Sequence, residues 1–141
     1  MIIKIPFLSW TGRAALEIEV SDDVESLWQF RAALEIAVKR CADLTGAKLT
    51  GAKLTWADLT GAKLTGADLT GAKLTEADLT GADLTGADLT GAKLTWADLT
   101  EADLTGADLT WADLTGADLT GAKLTRAIFA AGWITTKATG E

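Results

Sequence analysis

The chain has 141 residues, with 13 lysines and arginines against 20 aspartates and glutamates, a net charge of −7, one cysteine, and neither histidine nor tyrosine. That is the size and balance of one soluble domain, and the missing histidine removes the commonest general base and transition-metal ligand, which disfavours hydrolase and zinc-enzyme chemistry. The lone Cys41 excludes an intrachain disulfide and every two-cysteine metal motif.

The N-terminal residues carry Lys4, Arg13, Glu17 and Glu19 without a long apolar run. Neither a secretory signal nor a membrane span is expected, and a reduced, cytoplasmic setting is compatible. Ile2, Ile3, Ile5 and Phe7, then Leu16 to Val20, read as two strands joined by a turn containing Gly12. Asp22 with Glu25 three residues on reads as a capping box that opens a helix. Leu27, Phe30, Leu34, Ala37, Val38 and Cys41 fall on one face of it. Trp10, Trp28 and Phe30 are expected in the core of this N-terminal cap, over residues 1–41.

From Ala42 to Arg126 a single unit, Ala-(Asp/Lys)-Leu-Thr-Gly, repeats 17 times without a gap or phase slip. Its period of five excludes the two simplest elements. Five α-helical steps advance a side chain by about 140°, which scatters the leucines around a helix. In a flat strand the side-chain period is two, so an odd repeat alternates the leucines between faces. What remains is a short extended piece and a corner in every unit, with Ala and Leu inward and Asp or Lys outward between them. Period alone does not fix the number of sides.

Eleven units end in glycine, but Trp56, Glu76, Trp96, Glu101, Trp111 and Arg126 occupy the same slot in the other six. The expectation drawn from those six is a corner that accepts ordinary residues and needs no positive φ. The invariant threonine is expected to form an outward ladder, rung on rung.

Units such as Ala42-Asp43-Leu44-Thr45-Gly46 resemble the pentapeptide repeat family. The resemblance covers all 17 units, and it implies a right-handed quadrilateral β-helix in which four units make a coil of 20 residues. The fold expected is therefore an all-β solenoid over residues 42–126, with a small α/β cap before it and a C-terminal coil and tail over 127–141. An uncovered β-helix end exposes unpaired strand edges, which gives the cap a structural purpose. The uniformity of the units reads as an idealised, engineered consensus array.

Stacking at 20-residue intervals would set Asp58, Asp78, Asp98 and Asp118 in one acidic column, beside Lys53, Lys73, Lys93 and Asp113. The principal reading is a structural scaffold without catalytic activity, cofactor or metal, binding neither nucleic acid nor membrane. Relatives that dimerise through their last coil imply a homodimer interface at Ile128, Phe129, Trp133 and Ile134. Relatives that act as DNA mimics on DNA gyrase supply the alternative, in which the acidic column is the binding face. Duplex DNA carries one charge per about 1.7 Å of axis, and four aspartates about 4.8 Å apart are a much weaker imitation. Those aspartates are equivalent and lie on a convex surface, unlike the paired carboxylates of a glycosidase. Trp56 and Trp96 share a column with Glu76 between them, and are read as tolerated surface substitutions in preference to a ligand-bridging pair.

Overall fold

The computed structural model describes residues 2–7, 14–19 and 24–130. Strands β1 (Ile2–Phe7) and β2 (Ala14–Glu19) pair antiparallel, with Ile3 opposite Ile18 and Ile5 opposite Leu16. Helix α1 (Val24–Lys39) follows and buries Phe30, Leu34 and Val38 in the same apolar cluster as the leucines of the repeat, and Ala37 is buried as well. Asp22 and Trp10 lie outside the described residues.

Two expectations for this region need correction. Trp28 is not core: it is 51% exposed, and the Arg31 guanidinium lies 4.2 Å over its ring. Cys41 does not share the buried helix face either. It follows the end of α1 with φ at 56° and is exposed, because the chain turns there into the first coil.

Parallel bridges then join each residue at the Asp/Lys position to the one 20 residues later, from Asp43 with Lys63 to Asp108 with Ile128. Coils of four pentapeptides stack without insertion, as the columns read from the sequence require. The interior is leucine and alanine. Every leucine from Leu44 to Leu104 has no exposed surface, and no polar or charged residue is buried among the described residues. Fully burying one such leucine contributes about 1.5–3 kcal/mol.

Residues 77–81 show how the unit satisfies its backbone. Leu79 N–H donates to Asp98 O of the next coil at 2.7 Å, and Gly81 N–H to Thr100 O at 2.8 Å. Asp78 N–H donates back to Ala57 O at 2.9 Å, and Ala77 N–H closes a turn on Leu74 O at 3.1 Å. Thr80 N–H is left over, and it donates to the Asp78 carboxylate at 2.9 Å. All five amides of the unit are thereby paired, as a buried or half-buried backbone demands.

The corner overturns the reading made from its six non-glycine residues. Trp56, Glu76, Trp96, Glu101, Trp111 and Arg126 all adopt positive φ, between 55° and 60°, as the glycines do at 62° to 71°. The turn that links Leu44 O to Ala47 N–H has this corner residue as its third member, and such a turn requires positive φ there. The side chain still points outward, so an ordinary residue is accepted at the cost of strain.

Candidate functional site

The candidate surfaces are columns and corners of a rod. The side of Asp58, Asp78, Asp98 and Asp118 is a continuous stack, each residue bridged to the next. The adjoining side holds Lys53, Lys73, Lys93 and Asp113 in the same manner, and the other two sides mix signs. The stack is not uniform at its N-terminal end, where Lys39 Nζ of α1 lies 3.5 Å from Asp58 Oδ2.

Every repeat aspartate accepts the amide of the threonine two residues on, from Asp43 to Asp118. Some also accept a threonine hydroxyl, as Asp118 does from Thr120 Oγ1 at 2.6 Å. The hydrogen bonds of the threonine side chains described here therefore run to aspartate, within the unit or from Thr50 to Asp68 and Thr95 to Asp113 on the next coil. The threonines stack outward at 20-residue intervals, and the inter-coil hydroxyl bonds of Thr50 and Thr95 run to aspartate. The threonine hydrogen bonds hold the carboxyls of Asp58, Asp108, Asp113 and Asp118 below the usual carboxylate range. Asp103, which also meets Lys123 Nζ at 3.2 Å, is lowered to about 2, with the Thr105 hydroxyl as the largest cause.

The N-terminal end of the rod carries a feature that the sequence reading missed. By the pattern of the later coils, Asp58 N–H and Thr55 O would pair with a coil preceding the first. Helix α1 supplies side chains instead. Glu35 Oε1 accepts Asp58 N–H at 3.1 Å, and Arg31 donates to Thr55 O at 3.0 Å. Arg31 Nε lies 3.3 Å from Glu35 Oε1, so an i, i+4 ion pair stands in for the missing rung.

Toward the other end burial declines, from 2% exposure at Leu109 and 5% at Leu114 to partial burial at Leu119, Leu124 and Phe129. Of the four residues expected at a dimer interface, Ile128 is 52% exposed and Phe129 packs against the core cluster. Trp133 and Ile134 lie outside the described residues.

Trp56, Trp96 and Trp111 are exposed at corners. Trp56 and Trp96 share one corner, between the lysine and aspartate sides, while Trp111 stands at another. Among the described residues no cluster of acidic or cysteine side chains is placed to hold a metal ion. No helix described is long and apolar enough to cross a membrane.

A stack of 20-residue coils built from five-residue sides defines a β-helical solenoid. The family model for pentapeptide repeats matches in eight copies, over residues 40–66, 52–91, 62–100 and 92–129, and the chain belongs to that family. Its members form right-handed quadrilateral β-helices. Among solved structures, the chain is similar to the pentapeptide repeat protein Rfr23 from the cyanobacterium Cyanothece 51142. The identity is 36% over 62% of this chain and 63% of that one, with a TM-score of 0.47. It is also similar to alr5209, a pentapeptide repeat protein from Nostoc Pcc 7120, at 40% identity over 70% of this chain and 73% of that one, with a TM-score of 0.42. QnrB1, described as a plasmid-mediated fluoroquinolone resistance protein, matches at 21% identity over 63% of this chain and 58% of that one, with a TM-score of 0.30. No curated protein matches.

Proposed function

We propose that the chain is a structural scaffold without catalytic activity: a right-handed, four-sided rod over residues 42–126, capped by residues 1–41 and ending in a coil and tail over 127–141. The observation that carries this reading is the division of the repeat into a leucine and alanine interior, without a buried polar side chain, and an outward polar surface. Chemistry needs unlike groups converging in a concave site. Here the carboxylates repeat in like environments, each engaged by its own threonine. In this reading the rod pairs with a second copy through Ile128, Phe129, Trp133 and Ile134, where the described part of the last coil is least covered. Light scattering tests the pairing: Phe129→Asp is expected to be monomeric where the unaltered chain is dimeric, and identical masses remove the interface.

The unbroken aspartate stack favours one second reading, a DNA-mimic protein that binds DNA gyrase through Asp58, Asp78, Asp98 and Asp118. A gyrase supercoiling assay separates the two, run with the chain and with a variant in which all four aspartates are asparagine. The scaffold reading expects no inhibition by either at excess protein. Inhibition that is lost in the variant overturns it and makes the acidic column a functional surface.

A further inference from the structure

The corner that carries Trp56, Glu76, Trp96 and Gly116 has a geometry that a scattered surface substitution does not require. A Cβ placed on Gly116 would lie 2.5 Å from Trp96 Cε3 and 2.7 Å from each of its ring neighbours Cδ2 and Cζ3. Near-equal distances to three consecutive ring atoms put that point over the face of the ring, not beyond its edge. One face of the indole therefore lies on the bare Cα of Gly116, and the residue is still 66% exposed. The outer face of Trp96 is a platform set against the surface of the rod.

Trp56 occupies the same corner two coils earlier, with the same φ of 60° and 59% exposure. Two rungs set the tryptophans about 9.6 Å apart along the axis. Glu76 stands between them and is a hydrogen-bond acceptor. The row is flanked by the stacked Lys53, Lys73 and Lys93 on one side and by Asp58, Asp78 and Asp98 on the other. From Trp56 to Trp96 the three lysines offset the three aspartates and Glu76 leaves one net negative charge, while the Gly116 rung adds Asp113 and Asp118, so a polyanion is disfavoured and no run of like charge flanks the two tryptophans on both sides. Both flanks remain rich in donors and acceptors.

We infer that this corner is a binding row for a neutral, unbranched β-1,4-linked glucan lying along the rod. In a two-fold β-1,4 chain the disaccharide repeat approximates the two-rung spacing, so sugars two residues apart present the same ring face to Trp56 and Trp96. The apolar faces of the pyranose rings stack on the indoles, and hydroxyls of the intervening sugar meet Glu76. A polymer gains from registering on both tryptophans at once, whereas one sugar gains little.

Native affinity electrophoresis through hydroxyethyl cellulose is the test, with the polymer absent or present in the gel. Retardation of the chain is expected, and at least a tenfold weaker effect in Trp56→Gly/Trp96→Gly. Glycine already occupies most corners, and a far-ultraviolet spectrum matching the parent checks that the variant is folded. Trp111→Gly, at a different corner, is expected to be retarded like the parent. The inference is overturned by absence of retardation at saturating polymer, by equal retardation of the double variant, or by retardation in heparin or polylysine gels that the glucan gel does not give.

Discussion

At its N-terminal end the rod is covered by α1, which lays Phe30 and Leu34, 1% and 0% exposed, on the first coil and offers Arg31 and Glu35 to the amide and carbonyl left over there. At the other end of the described chain, Leu119, Leu124 and Phe129 are only partly buried. Identical pentapeptides therefore have unequal environments. A solenoid coil is stabilised by its neighbours on both sides, so position along the axis, not the residue, sets what a leucine contributes.

The strongest way to break that comparison is to place one substitution at two heights. Leu79→Lys puts a charge into an interior of leucine and alanine, with no partner, and should cost several kcal/mol. Leu124→Lys has a partly exposed route to water and should cost clearly less. Urea unfolding midpoints compare the two. Equal losses would mean that both coils are equally enclosed.

A smaller effect sharpens the account of the covered end. Arg31→Ala removes the donor to Thr55 O and unpairs Glu35, for about 1–3 kcal/mol. Glu35→Ala does the same to Asp58 N–H. Because the two side chains touch, the double variant should lose less than the sum of the single losses, and a double-mutant cycle of unfolding free energies measures the difference. Strict additivity would mean that the pair does not act as a unit.

The solenoid was legible in the sequence because a five-residue period is incompatible with a helix or a flat strand, and because leucine never leaves its phase. The charge columns followed once the coil length was known. The corner conformation was misjudged from Trp56, Glu76 and the four others like them, although glycine in most units was the correct signal: positive φ is costly for an ordinary residue, not forbidden. The aspartate caps were also within reach, since Asp followed two residues later by Thr is a familiar side-chain turn. Arg31 and Glu35 show what was out of reach. Their i, i+4 spacing is visible in the sequence, but the groups they satisfy lie 24 and 23 residues away, on a coil whose first rung has no predecessor. Cys41 and Trp28 were misplaced for a related reason: helical periodicity was extended beyond Lys39, and a large aromatic residue was assumed to be buried.

The corner strain predicts a gain of stability. Glu101 has φ at 59°, and a left-handed conformation costs an ordinary residue about 1–2 kcal/mol. Glycine avoids that cost but loses roughly 0.5–1 kcal/mol through the greater freedom of its unfolded chain. Glu101→Gly should therefore be more stable, by up to about 1.5 kcal/mol, since the difference between those two ranges runs from about 0 to about 1.5 kcal/mol. A higher thermal midpoint checks this, and a lower one would assign Glu101 a contact worth more than its strain.

The smallest effect per residue is the response to acid, because each carboxylate is largely exposed and solvent screens it. The threonine hydrogen bonds lower the folded-state values of Asp43, Asp83, Asp108 and Asp118 below the ordinary 3.8, and of Asp103 to about 2. A lowered folded value means that the unfolded chain binds protons first as pH falls, so the stability these groups contribute is fully present above their unfolded value. It is lost between that value and the folded ones, a window that runs from about pH 4 down toward about pH 2. Unfolding midpoints should hold steady between pH 7 and pH 5 as far as these aspartates are concerned, then fall through that window. Asp103→Asn should shed its share of the acid loss, because asparagine accepts the Thr105 amide at every pH but carries no charge to titrate. An acid profile unchanged in Asp103→Asn would mean that the Thr105 hydrogen bonds are not what lowers this carboxyl.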